Sequence, residues 1–178
     1  MLVKTIISGF GGQGALSMGL TLAQAAMLDG KYVTYLPAYG AEVRGGTANC
    51  TVSVSDEEIA SPVASAPEFV VALNQPSLAK FQNQIESGGV MFINSSLVNV
   101  ETSRGDIEII SVPASALAES MGSPRSANIV MLGAFIKKSN LVSLPSVVEG
   151  LVNGLKGKRD LIAINEEALK AGYNYIIR

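Results

Sequence analysis

The chain is predicted to be an α/β protein, a three-layer α/β/α sandwich around a mostly parallel sheet. Three observations predict this. Short β-prone runs recur through the first two thirds, helical spacing separates several of them, and residues 3–36 read as strand, glycine turn, helix, strand.

VKTIISGF (residues 3–10) is a β-prone run that ends at glycine, as a buried strand does. GGQG then gives way to ALSMGLTLAQAAMLDG, where Leu16, Leu20, Ala23 and Met27 fall at helical spacing and Gly30 supplies the stop. KYVTYL (31–36) is the second strand. This βαβ reading implies parallel strands and a right-handed crossover, hence a Rossmann-like sheet. PAYGAEVRGG (37–46) is a loop, and TANCTVSVS (47–55) alternates as a strand with one polar face. SDEEIASPVASAP is proline-broken and polar, a surface connection. FVVAL (69–73) is a central-strand candidate, followed by a short helix ending on Gly88. Strands are expected at 89–94 and 106–112, with a loop or strand edge between them. Helices then dominate, at 113–122, 126–140, 143–157 and 159–176. In the second of these, Ile129, Leu132 and Ile136 form one apolar stripe. No repeat or linker divides the chain, so residues 1–178 are expected to form one domain.

Composition narrows the chemistry. The chain is 48% hydrophobic, which fits either a tightly buried core or an apolar surface covered by partner subunits. No apolar run approaches the roughly 20 residues that span a bilayer, and no secretory signal is read, so a cytoplasmic location is expected. The net charge is −2 with scattered Lys and Arg, which argues against nucleic acid. Cys50 is the single cysteine and histidine is absent. The chain therefore lacks the thiolates for an iron–sulfur cluster and the commonest general base, and neither a catalytic nor a metal-ligating residue is nominated.

Gly9, Gly11 and Gly14 satisfy GxGxxG between a strand and a helix, where backbone can approach an anion at the helix N-terminus. As a bare pattern it serves equally as a tight turn. Gly12 and Gln13 add open backbone and a side-chain amide that a mere turn does not need. An NAD site should carry an acid at the end of the second strand, whereas Pro37, Ala38 and Tyr39 stand there. No Gly-Lys-Ser/Thr follows Gly14, so the loop is not a Walker A. The second constellation is YGAEVRGG, in which Glu42 can orient Arg44 beside Gly45 and Gly46. It is either a ligand or subunit contact or an exposed ion pair of small worth.

GFGGQG, YGAEVRGGTANCTVSVSDEEI, ALNQPSLAKF, GGVMFINSSLV and ANIVMLGAF occur in this order. Together they resemble the gamma-type domain of the 2-oxoacid:ferredoxin oxidoreductases, over residues 3–175. The stretch RGGTANCTVSVSDEEI leans towards the 2-oxoglutarate or branched-chain members. The resemblance implies a subunit of a complex that converts a 2-oxoacid and coenzyme A to acyl-CoA and carbon dioxide and passes two electrons to ferredoxin. It implies thiamine diphosphate, Mg2+ and iron–sulfur clusters on other chains: alpha and beta thiamine-binding subunits and a ferredoxin-like subunit. Matched residue by residue, Gly9, Gly11, Gly12, Gln13 and Gly14 fall at a ligand-facing turn that helps bind coenzyme A. Glu42, Arg44, Gly45 and Gly46 fall at the active-site interface, and Asn128 falls at a helix start beside them. Ala41 departs from the proline common in relatives, and Asn128 reads equally as a helix cap. Two alternatives stay open: a free-standing NAD(P)-dependent enzyme, and a nucleotide- or acyl-CoA-binding module without partners.

Overall fold

The computed structural model describes residues 1–38, 47–99, 102–155 and 158–176. The strands are β1 (Leu2–Phe10), β2 (Tyr32–Ala38), β3 (Thr47–Ser55), β4 (Phe69–Ala72), β5 (Val90–Asn94) and β6 (Glu108–Val112). They form one sheet in the order β2-β3-β1-β4-β5-β6. The pairings β1–β4, β4–β5 and β5–β6 are parallel, and β3 is antiparallel to both β1 and β2. All strands but β3 therefore point the same way.

The opening strand–helix–strand unit has the expected parallel strand direction, with one strand interposed. β1 and β2 run in the same direction but are not neighbours, because β3 lies between them. The alternation along β3 explains the insertion. Cys50, Val52 and Val54 supply an apolar stripe under the helical layer, continuous with Val3, Ile7 and Val33. The expected polar face of β3 exists but is not solvent-facing: Thr51, Ser53 and Ser55 are buried. Among the described residues the hydroxyls of Ser53 and its cross-strand neighbour Thr34 find no hydrogen-bond partner.

The helices are α1 (Ala15–Leu28), α2 (Gln75–Phe81), α3 (Ala114–Ser120), α4 (Ala127–Ser139), α5 (Leu144–Gly154) and α6 (Arg159–Tyr175). α1 ends as expected at Gly30, whose φ of +74° suits the αL turn; Lys31 N–H closes back on the Ala26 carbonyl. The helix after β4 stops at Phe81, short of Gly88, and turns carry the chain on to β5. Two apolar clusters sandwich the sheet. α1, α3, α4, α5 and α6 share one with Ile7, Val52, Val71 and Phe92. α2 shares the other with Ile6, Val70, Met91 and Ile93.

The helical layer is two deep. α4 is buried on every side from Asn128 to Ile136, not along one stripe, because it lies between the sheet and α6. Phe135 meets Phe69 and Phe92 at ring distances of 5.4 Å on its sheet side. On the other side Gly133 and Gly172 let the two helix backbones touch; a Cβ on Gly172 would lie 2.6 Å from the Val130 carbonyl carbon. No helix among the described residues is long and apolar enough to cross a membrane.

Candidate functional site

The carboxyl ends of β1 and β4 lie side by side at the middle of the sheet. From β1 the chain leaves over one face through α1, and from β4 over the opposite face through α2. Such a reversal opens a crevice beyond the strand ends, where open α/β sheets bind ligands. The glycine turn, residues 9–14, occupies it.

Each predicted residue of the turn has a distinct environment. Gly9 is buried, and a Cβ there would press on Gln13 Oε1 at 3.0 Å and on Leu73. Gly11 and Gly12 are exposed, a Cβ on either would meet nothing within 4 Å among the described residues, and Gly12 has a φ of +91°. Gly14 caps α1 at φ +79° without a side-chain acceptor, leaving the amides of the first turn without a side-chain cap. A Cβ on Gly14 would stand 2.7 Å from Cγ of Asn128. Its glycine is required twice, by conformation and by space.

The Gln13 carboxamide faces inward, where its polar groups are engaged. Its Oε1 accepts from Phe10 N–H at 2.7 Å and from Asn74 Nδ2 at 2.9 Å, and its Nε2 donates to the Leu73 carbonyl at 3.3 Å. Gln13 therefore ties the ends of β1 and β4 together, while the edge at Gly11 and Gly12 stays exposed.

Asn128 does stand beside the turn, but it is not the cap of α4. Ser126 holds that position, and Asn128 Nδ2 instead donates to the Gly14 carbonyl and to Ser17 Oγ, each at 3.2 Å. Ser17 and Asn128 also line a cleft of about 650 Å³ that runs between α1 and α5 past Leu20, Ile129 and Leu155. Glu42, Arg44, Gly45 and Gly46 lie outside the described residues. Sequence reasoning missed Asn74 and Ser77. The Asn-Gln-Pro-Ser string signals a helix cap, and Asn74 does accept from Ser77 N–H, but nothing local signals its contact with Gln13.

Metal and redox chemistry find little here. Among the described residues no group of three or more His, Cys, Asp or Glu side chains could hold a metal ion. Burial under α1 pushes the Cys50 thiol up to about 12, so it is not a thiolate at neutral pH. The residues present do not fit an iron–sulfur cluster.

Residues 4–175 match the family model described as pyruvate ferredoxin/flavodoxin oxidoreductase. The chain belongs to this family. It is 42% identical over 172 residues to the ketoisovalerate oxidoreductase subunit VorA of Methanothermobacter thermautotrophicus, covering 96% of this chain and 35% of that protein. The chain thus spans about a third of the length of the VorA relatives it matches. The gamma subunit of a keto/oxoacid ferredoxin oxidoreductase from Geobacter sulfurreducens superposes with a TM-score of 0.84 at 27% identity, over 97% of this chain and 96% of that one. The 2-oxoglutarate:ferredoxin oxidoreductase of Magnetococcus marinus, solved with 2-oxoglutarate, coenzyme A and succinyl-CoA bound, superposes at 0.87 and 26% identity, over 99% of this chain and 32% of that chain. The family's unit therefore occurs both as a chain of this size and as part of a longer one.

Proposed function

We propose that residues 1–178 act as the gamma-type domain of a multisubunit, thiamine-dependent 2-oxoacid:ferredoxin oxidoreductase. The complex would convert a 2-oxoacid, coenzyme A and oxidised ferredoxin to acyl-CoA, carbon dioxide and reduced ferredoxin. The observation that carries the reading is the near end-to-end match to the Geobacter gamma subunit, a chain of the same extent. The 42% identity to VorA favours a branched-chain 2-oxoacid as substrate. The partners are alpha and beta subunits that hold thiamine diphosphate and Mg2+ and a ferredoxin-like subunit with the clusters, all in the cytoplasm. A chain with one buried cysteine and no histidine is suited to binding and positioning, not to electron transfer.

Within that complex, this chain contributes to coenzyme A binding at the glycine turn. The open edge at Gly11 and Gly12, the uncapped first turn of α1 and the adjoining cleft are the features that suit a phosphorylated ligand with an extended body. Glu42, Arg44, Gly45 and Gly46 serve at the interface with the thiamine-binding chains. An NAD(P) enzyme is disfavoured by topology. The acid that takes the ribose belongs at the end of a strand adjacent to β1, and here β3 fills that position. Affinity purification of this chain from its own cells, with identification of the co-eluting chains, tests the proposal. Thiamine-binding and ferredoxin-like partners are expected, and a chain that elutes alone contradicts it.

A further inference from the structure

Behind the glycine turn runs a buried hydrogen-bond relay. Ser8, Asn74 and Ser77 are 0%, 3% and 0% exposed. Asn74 Nδ2 donates to Gln13 Oε1 at 2.9 Å, and Asn74 Oδ1 accepts from Ser77 N–H at 2.9 Å and from Ser77 Oγ at 2.7 Å. Ser8 Oγ stands 2.9 Å from Ser77 Oγ. A hydroxyl has one proton, and Asn74 Oδ1 only accepts, so Ser77 donates to Asn74 and accepts from Ser8. The orientation of every member is thereby set. The Gln13 amide cannot turn over either, since Phe10 N–H can only donate to it and the Leu73 carbonyl can only accept from it.

We propose that Asn74 is a positioning residue for the glycine turn. By fixing the Gln13 carboxamide it holds the ends of β1 and β4 together, and with them the amides at Gly11 and Gly12 that meet the ligand. This rests on the reading of the turn as a coenzyme A contact. The relay spans β1, the glycine turn and the start of α2, so the turn is braced from the strand behind it and not only by its own backbone.

Asn74→Asp isolates the link. An aspartate keeps the cap on α2 and the side-chain volume, but sets a carboxylate oxygen against Gln13 Oε1 where an amide donor stood. Gln13 cannot relieve this by flipping, for the reason given. The experiment compares wild type, Asn74→Asp and Gly11→Ala in the complex purified with this chain. It measures amide exchange over residues 9–14 by mass spectrometry, and KM for coenzyme A separately from kcat. Exchange in Asn74→Asp is expected to quicken about tenfold, the worth of one net hydrogen bond. KM for coenzyme A should rise in both variants while kcat at saturation holds in Asn74→Asp. Unchanged exchange in Asn74→Asp overturns the positioning role. So does faster exchange with an unchanged KM in a complex where Gly11→Ala raises it. If Gly11→Ala itself leaves KM unchanged, the coenzyme A reading fails and Asn74's role falls with it. Should Asn74→Asp not assemble, Gln13→Glu breaks the opposite end by facing a carboxylate oxygen to the Leu73 carbonyl, and the same rise in KM is required.

Discussion

The carboxamide of Asn128 donates to the Gly14 carbonyl across 3.2 Å, joining the start of α4 to the cap of α1. A side chain on Gly14 would strike that carboxamide and also sit at a φ of +79°. Gly14→Ala is expected to cost at least about 1–3 kcal/mol from conformation alone. Asn128→Ala should lose about 1–3 kcal/mol through its two hydrogen bonds. The double variant should cost less than the sum, because Asn128→Ala removes the Cγ and Nδ2 atoms in the way. Urea unfolding of the four proteins measures the coupling. Strict additivity contradicts the contact.

Gly133 and Gly172 set the spacing of α4 and α6. Either glycine changed to alanine drives a methyl group into the backbone of the opposite helix. Each variant should be destabilised by more than about 2 kcal/mol or fail to fold, since backbone on both sides leaves no room to repack. Gly150→Ala on α5 is the control. Its Cβ meets α1 at an ordinary 3.5 Å, so helix propensity should stabilise that variant by about 0.5–1 kcal/mol. Thermal midpoints separate the two cases.

Local signals were the legible ones. Gly30 as the stop of α1, Asn140 as the end of α4, and the turn at residues 9–14 all follow from residue chemistry at one place in the chain. The insertion of β3 between β1 and β2 did not, because an antiparallel return and a parallel crossover require the same apolar alternation. The all-round burial of α4 was hidden because Gly133 pays off only against Gly172, which stands in a different helix. The candidate site divided the same way. Its glycines were readable as a strand-to-helix turn, whereas Gln13 looked like a ligand group until its partners at Leu73 and Asn74, some 60 residues on, came into view.

Asp29 predicts a pH dependence. Burial alone would raise its carboxyl, but hydrogen bonds from Ser146 and from the Ser143 backbone and hydroxyl outweigh this and hold it below its ordinary 3.8. A depressed folded value gives stability that is full above 3.8 and is lost as pH falls through the lower value. Asp29→Asn should therefore be less stable than wild type at about pH 7, and the gap should close as the native carboxyl titrates. Urea midpoints measured down the pH scale check this, and a constant gap contradicts it.

The glycine turn should prefer coenzyme A to dinucleotides. Calorimetry on the purified complex with coenzyme A, NAD and NADP compares them. Saturable coenzyme A binding, with NAD and NADP weaker or undetected, is the expected result. An NAD affinity exceeding that for coenzyme A contradicts the topological argument from β3.

Turnover tests the central claim most directly. The complex purified through this chain, and the chain by itself, are each given a branched-chain 2-oxoacid, coenzyme A, thiamine diphosphate, Mg2+ and oxidised ferredoxin. Acyl-CoA should form with matching ferredoxin reduction in the complex and not with the isolated chain, whose residues supply neither cluster ligands nor a histidine base. Sustained acyl-CoA formation by the chain alone, or a stable complex that forms none from any 2-oxoacid, would contradict the account.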